Sequence, residues 1–170
     1  SIGRFALDSC SSLPAIDIPN SVTTIGYGSF YGCTSLTTLV VPNSVTTIGD
    51  YAFEACSGVT SFTLPNTISA IGIGVFDGCS SLTSIEIPTT VTTIGNIAFR
   101  NCSSLTTINI PISVTTIGTS VFQNCTSLTS VTVNWPTPLS INANVFQNVP
   151  VVDVALYVPT GTESLYDATP

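Results

Sequence analysis

Residues 82–104 read LTSIEIPTTVTTIGNIAFRNCSS, and close copies of this stretch recur every 23 residues along the chain. Leu82, Ile85 and Ile87 follow an L-x-x-L-x-L spacing. In an extended chain that spacing puts Ile85 and Ile87 on one face and Glu86 on the other. Pro88 has no N–H to give to a ladder, so it ends this first strand. After a turn at 88–90, residues 91–94 form a second short extended segment with β-branched side chains. Gly95 closes it. The glycine column (Gly26, Gly49, Gly72, Gly95, Gly118) predicts a backbone position with positive φ. Ala98, Phe99 and Cys102 then share one side of a single helical turn, α or 3₁₀, too short to stand alone.

Whole columns keep this step. Cys10, Cys33, Cys56, Cys79, Cys102 and Cys125 lie 23 residues apart, as do Phe30, Phe53, Phe76, Phe99 and Phe122. A fixed period of this size marks a solenoid. One coil cannot bury its own apolar face, so neighbouring coils must stack. Stacking places phenylalanine over phenylalanine and cysteine over cysteine as a structural ladder in the core. Bridging adjacent cysteines is the alternative, because coil spacing brings their Cα atoms within disulfide range. Parallel Cβ vectors are poor geometry for that bond, which favours a reduced ladder of small buried hydrophobes. Metal binding lacks any C-x-x-C spacing, so no metal and no cofactor is expected.

The chain has 170 residues, 44% of them hydrophobic and only 6% charged, with a mean hydropathy of +0.54. Its apolar runs are short and broken by Thr, Ser or Pro, which excludes membrane-spanning helices and sends those side chains to an internal core. The net charge is −7, histidine is absent, and Arg4 and Arg100 are the only cations. Nucleic acid and anionic membrane surfaces are thereby excluded as partners, along with histidine chemistry. Ser1-Ile2-Gly3 reads as mid-repeat, so the chain is expected to be a piece of a longer protein. Residues 1–133 form the repeat array. Residues 134–170 are expected to be an irregular last repeat and a cap, with Trp135 packed over the last coil. There Val145-Phe146-Gln147-Asn148 repeats Val121-Phe122-Gln123-Asn124 with one residue inserted, and Asn148 stands where a cysteine is due.

The pattern L-x-x-I-x-I-P-x-S-V-T-x-I-G-x-x-A-F-x-x-C resembles the BspA-type, or treponemal-type, leucine-rich repeat. Residues 45–56 (VTTIGDYAFEAC) are a near-consensus copy. The resemblance covers residues 1–133, and residues 156–161 look like the family's terminal segment. It implies a β-rich solenoid of the α/β leucine-rich repeat class, with a parallel sheet on one face, short second strands and short helical corners. It also implies a bacterial surface or secreted protein linked to adhesion and to binding host proteins. The repeat motif carries no catalytic residues to transfer.

The outward positions of the first strand are the candidate binding face. One column holds Thr37, Thr60, Thr83, Thr106 and Thr129, and the next holds Thr38, Ser61, Ser84, Thr107 and Ser130. A third varies: Asp17, Val40, Thr63, Glu86, Asn109, Thr132. In a solenoid, a row that varies among fixed neighbours is the natural recognition surface. The plainer reading is solvent cover, since threonine is a good strand former. Glu54 and Asp77, one coil apart, have the spacing of a glycosidase pair. An exposed Asp77–Arg100 ion pair is the simpler reading. The threonine ranks invite an ice-binding reading, but the doubled threonines are adjacent and so face opposite sides. Asn101-Cys102-Ser103 and Asn124-Cys125-Thr126 match the glycosylation sequon, read as accidental in a bacterial protein and as weak acceptors otherwise. The expected function is a non-catalytic, monomeric scaffold that binds a protein or glycan, or else a spacer with no ligand of its own.

Overall fold

The computed structural model describes residues 1–167. The last residues of the expected cap, 168–170, lie outside them. The strands are β1 (Thr24–Ile25), β2 (Thr38–Val40), β3 (Thr47–Ile48), β4 (Ser61–Thr63), β5 (Ala70–Ile71), β6 (Ser84–Ile85), β7 (Thr93–Ile94), β8 (Thr107–Ile110), β9 (Thr116–Ile117), β10 (Ser130–Val133) and β11 (Ala155–Tyr157). From β1 to β10 they alternate along the chain between two files, and β11 joins the first. All pairings are parallel. In the first file β4 lies between β2 and β6, and β10 lies between β8 and β11. A single Glu86↔Asn109 bridge links the two groups. In the second file β1 pairs with β3, and β7 lies between β5 and β9. Partners such as Leu39↔Phe62 and Ile94↔Ile117 stand one repeat apart. The period in the sequence is therefore the stacking register.

β2 and β4 each bury their centre and expose their flanks, as in Thr38-Leu39-Val40. Period-2 side-chain alternation produces this directly. Inside, Phe30, Phe53, Phe76, Phe99 and Phe122 are fully buried. Their rings stack at 5.2 to 5.8 Å with planes within 22° of parallel. Phe146 continues the stack at 5.4 Å from Phe122. All six cysteines are free thiols. The thiols of Cys56, Cys79, Cys102 and Cys125 each donate to a phenylalanine carbonyl in the preceding coil, at 3.0 to 3.3 Å. Cys33 donates to Leu7 O at 3.1 Å in the same way. Cys10 departs from the ladder: it is only partly buried, because no described coil covers its outer side.

The corner expected to be helical is a run of turns. Within it, donors alternate in direction. Tyr51 N, Phe53 N and Ala55 N donate to Ile73 O, Val75 O and Asp77 O of the next coil at 2.7 to 3.0 Å. Ala52 N, Glu54 N and Cys56 N close local turns onto Gly49 O, Tyr51 O and Phe53 O. A helix would send every donor back along its own strand of chain. Here half of them bind the neighbour, so the corner belongs to the stack. This geometry needs left-handed residues at two positions per coil. Tyr51 and Ala55 have φ of 58° and 57°, and Gly74 and Gly78 fill the same positions one coil on.

The glycine column at Gly26, Gly49, Gly95 and Gly118 is not left-handed, contrary to expectation. Its cause is close approach. A Cβ on Gly49 would fall 2.6 Å from Tyr27 N, and one on Gly118 would fall 2.5 Å from Asn96 N. The preceding coil's backbone lies against these Cα atoms and leaves no room for a side chain.

Toward the C-terminus the ladder adjusts to the inserted residue. Val149, not Asn148, takes the cysteine position: its N–H closes onto Phe146 O as that of Cys125 closes onto Phe122 O. Asn148 instead extends a chain of amides. Asn148 Nδ2 donates to Asn124 Oδ1 at 2.8 Å, and Asn124 Nδ2 donates to Asn101 Oδ1 at 2.7 Å. Trp135 is buried, and its indole N–H donates to Val114 O at 2.7 Å. An apolar cavity of about 540 Å³ remains beneath it, bounded by Phe146, Val149 and Tyr166.

Candidate functional site

The outward row of the first file is laid down by the same alternation that buries Leu39, Phe62, Ile85 and Ile108. Val40, Thr63, Glu86 and Asn109 all face out, and Val40 is 65% exposed. Asp17 is exposed but lies in no strand, because no ladder joins its segment to β2 among the described residues. Thr132 is half-buried at the other end, where β11 pairs alongside through Thr132↔Tyr157. The six positions therefore do not form one uniform strip: the display is continuous only from Val40 to Asn109.

Within that stretch the sheet opens. Strands β4 and β6 pair through Ser61↔Ser84 and Phe62↔Ile85, and their pairing stops there. Thr63 and Glu86 are unpaired with each other, and Glu86 bridges to Asn109 instead. Where the strands part, a shallow depression of about 330 Å³ forms, walled by Thr63, Glu86, Asn66 and Pro88. Asn66 and Pro88 were not marked by the sequence. Pro88 repeats Pro42 and Pro65 at the 23-residue step, so its spacing alone does not single it out. Asn109 is partly engaged, since Asn134 Nδ2 donates to its Oδ1 at 2.7 Å.

Thr60, Thr83 and Thr106 are exposed but not idle. Their hydroxyls donate to the carbonyls of Thr37, Thr60 and Thr83, at 3.2 to 3.3 Å. Each of those carbonyls also accepts the neighbour's N–H. The column stitches coil to coil. The second threonine rank does the same: Thr46 and Thr92 donate to Thr23 O and Ser69 O.

The carboxylates at the turn corner are differently placed than expected. Asp77 is buried at 3% exposure, so its pair with Arg100 is not an exposed one. Arg100 binds Asp77 Oδ2 through Nε at 3.0 Å and through Nη2, and Asn101 Nδ2 donates to Oδ1 at 2.9 Å. Both oxygens are committed. Burial, then the nearby Asp77 charge, push the Glu54 carboxyl up, partly offset by Arg100. The sequon amides are committed as well, Asn101 Nδ2 to Asp77 and Asn124 Nδ2 to Asn101. Among the described residues no helix is long and apolar enough to cross a membrane, and no group of His, Cys, Asp and Glu could hold a metal ion.

Six copies of the BspA type leucine rich repeat region match the chain, over residues 1–129 and 48–166. A leucine rich cell surface protein of Faecalibacterium prausnitzii is 40% identical over 71% of this chain and 32% of its own, with a TM-score of 0.68. A leucine rich repeat protein of T. pallidum is 36% identical over 65% of this chain and 52% of its own, with a TM-score of 0.64. One from Bacteroides ovatus is 26% identical over 81% of this chain and 41% of its own, with a TM-score of 0.63. The chain thus spans between a third and about half of these proteins. No curated protein matches it. The repeat, the two files of parallel strands and the family match agree: the chain belongs to the BspA-type leucine-rich repeat family.

Proposed function

We propose that the chain is a non-catalytic binding scaffold of a cell-surface or secreted protein, engaging a protein or glycan through the outward face of its first file of strands. The observation that carries this reading is the depression between β4 and β6. It is the place on that face where a varied outward row meets a concave surface, with Thr63 and Glu86 as walls. Polar side chains there are free to turn to a ligand, because the backbone beneath them is held by the buried ladder. The likeness to a cell surface protein of Faecalibacterium supports a cell-surface setting. Catalysis finds no support, since Asp77 is tied up by Arg100 and Asn101.

The spacer reading draws on one observation. The threonine column spends its hydroxyls on coil-to-coil bonds and presents little to a partner. A panel of extracellular-matrix proteins and glycans separates the two readings. Under the scaffold reading at least one member binds, and Glu86→Lys with Thr63→Ala weakens it by about tenfold or more, as expected for residues at the centre of a contact. An empty panel, or binding indifferent to that double change, would support the spacer.

A further inference from the structure

The turn corner carries a second surface, made of rings and carboxylates. Phe5 meets Tyr27 edge to face with centroids 5.3 Å apart, and Tyr27 meets Tyr51 at 5.4 Å with planes tilted by 58°. Phe5 and Tyr31 are exposed at 48% and 38%, while Tyr27 and Tyr51 are half-buried. Glycine makes the seats. A Cβ on Gly28 would fall 2.6 Å from the Phe5 ring, and one on Gly74 would fall 2.5 Å from the Tyr51 ring. Each ring therefore rests over the bare backbone of the next coil.

Acid flanks these rings. Asp50 precedes Tyr51 in the chain and accepts Ile73 N on Oδ1 at 2.8 Å. Glu54 lies one turn further on, and among the described residues its carboxylate has no hydrogen bond and no ion pair. The charge of Asp77 stands beside it, only partly offset by Arg100, and Glu54's own carboxyl is partly desolvated. A cation arriving at Glu54 would relieve both costs.

One cation already uses this surface. The Arg4 guanidinium sits over the Tyr27 ring, 5.0 Å from its centroid. Arg100, the other cation of the chain, is held by Asp77. With a net charge of −7 and both arginines engaged, the rings and carboxylates have no further cation of their own. We propose that this strip docks a cationic peptide segment, with Arg or Lys side chains lying over Tyr31 and Tyr51 and pairing with Glu54 and Asp50. Cation–π contact and opposite charge reinforce each other there. A sugar would want a broad face shared by near-parallel rings, and these rings stand 58° to 70° apart.

This inference does not rest on the sheet-face reading, and the two are tested separately. The probe is a fluorescein-labelled oligoarginine peptide, followed by anisotropy at low and physiological ionic strength, with oligoglutamate as control. Tyr51→Asn leaves the net charge unchanged and puts a tolerant residue at φ 58°. It should weaken oligoarginine binding by about threefold to tenfold, the loss of a half-exposed cation–π contact. Glu54→Gln should weaken it by a similar factor. Asp17→Asn with Glu86→Gln removes two charges elsewhere and should change it by less than about twofold once salt screens distant charge. Equal loss from that remote pair would reduce the effect to general attraction and overturn the proposal. So would binding that ignores both Tyr51 and Glu54, or a neutral oligosaccharide that binds and is lost on Tyr51→Asn. Should Tyr51→Asn fail to fold, the near-isosteric Glu54→Gln against the remote pair decides alone.

Discussion

At the scale of the residue, the cysteines show how a repeat converts one chemical choice into a property of the rod. Each thiol from Cys33 onward is buried and donates to a carbonyl one coil back. Burial raises the thiols of Cys79 and Cys102 and pushes Cys125 up to about 12, so their thiolates are scarce at neutral pH. The Cys33 thiol is shifted down by its Cys56 neighbour, but it is fully buried and closed to a reagent. Only thiolate reacts quickly with a disulfide reagent. Of the six free cysteines, Cys10 alone is open enough to meet solvent. A thiol-titration time course on the native protein should therefore show one fast thiol, with the other five appearing only on unfolding. Six fast thiols would place the ladder outside the core, and fewer than six after unfolding without reductant would reveal a disulfide. The residue scale is also where the sequence misleads. Gly49 and Gly95 look like left-handed glycines, yet they are required by a neighbouring backbone 2.6 to 2.7 Å from a would-be Cβ. Spacing marks a position as special without distinguishing torsion from contact.

At the scale of the element, the strands were legible and the corner was not. Period-2 alternation and a terminal proline specify strands such as β4, because side-chain direction follows from the backbone alone. The corner has apolar residues at helical spacing, but its hydrogen bonds run to the next coil, and no single repeat contains that information. The depression between β4 and β6 escaped for a similar reason: it exists because pairing stops after Phe62↔Ile85. The phenylalanine stack was legible since identical residues at one register must meet. Phe76 lies between Phe53 and Phe99 at 5.8 and 5.3 Å and meets Phe62 edge-on at 4.8 Å. Replacing it with alanine would empty a site that two coils share. A loss of about 3–5 kcal/mol in urea unfolding is expected. Less than about 1 kcal/mol would mean that the stack closes up without it.

At the scale of the whole molecule, the design separates what holds the coils together from what they show. The inner columns, the threonine stitches and the amide chain from Asp77 through Asn101 and Asn124 to Asn148 all run along the axis. Each bonds only adjacent coils, so stability is close to a sum of neighbour contacts. The row of Val40, Thr63, Glu86 and Asn109 lies outside that framework, apart from the Asn134 bond to Asn109. That row can vary at small cost, which is what a recognition scaffold needs. Equilibrium unfolding in urea of a protein with all four of these residues changed to serine, set beside Phe76→Ala, tests this division directly. The four outward changes together should cost no more than about 1–2 kcal/mol, the range of strand propensity at exposed sites, and less than the single inward change. A greater loss from the outward four than from Phe76→Ala would contradict it.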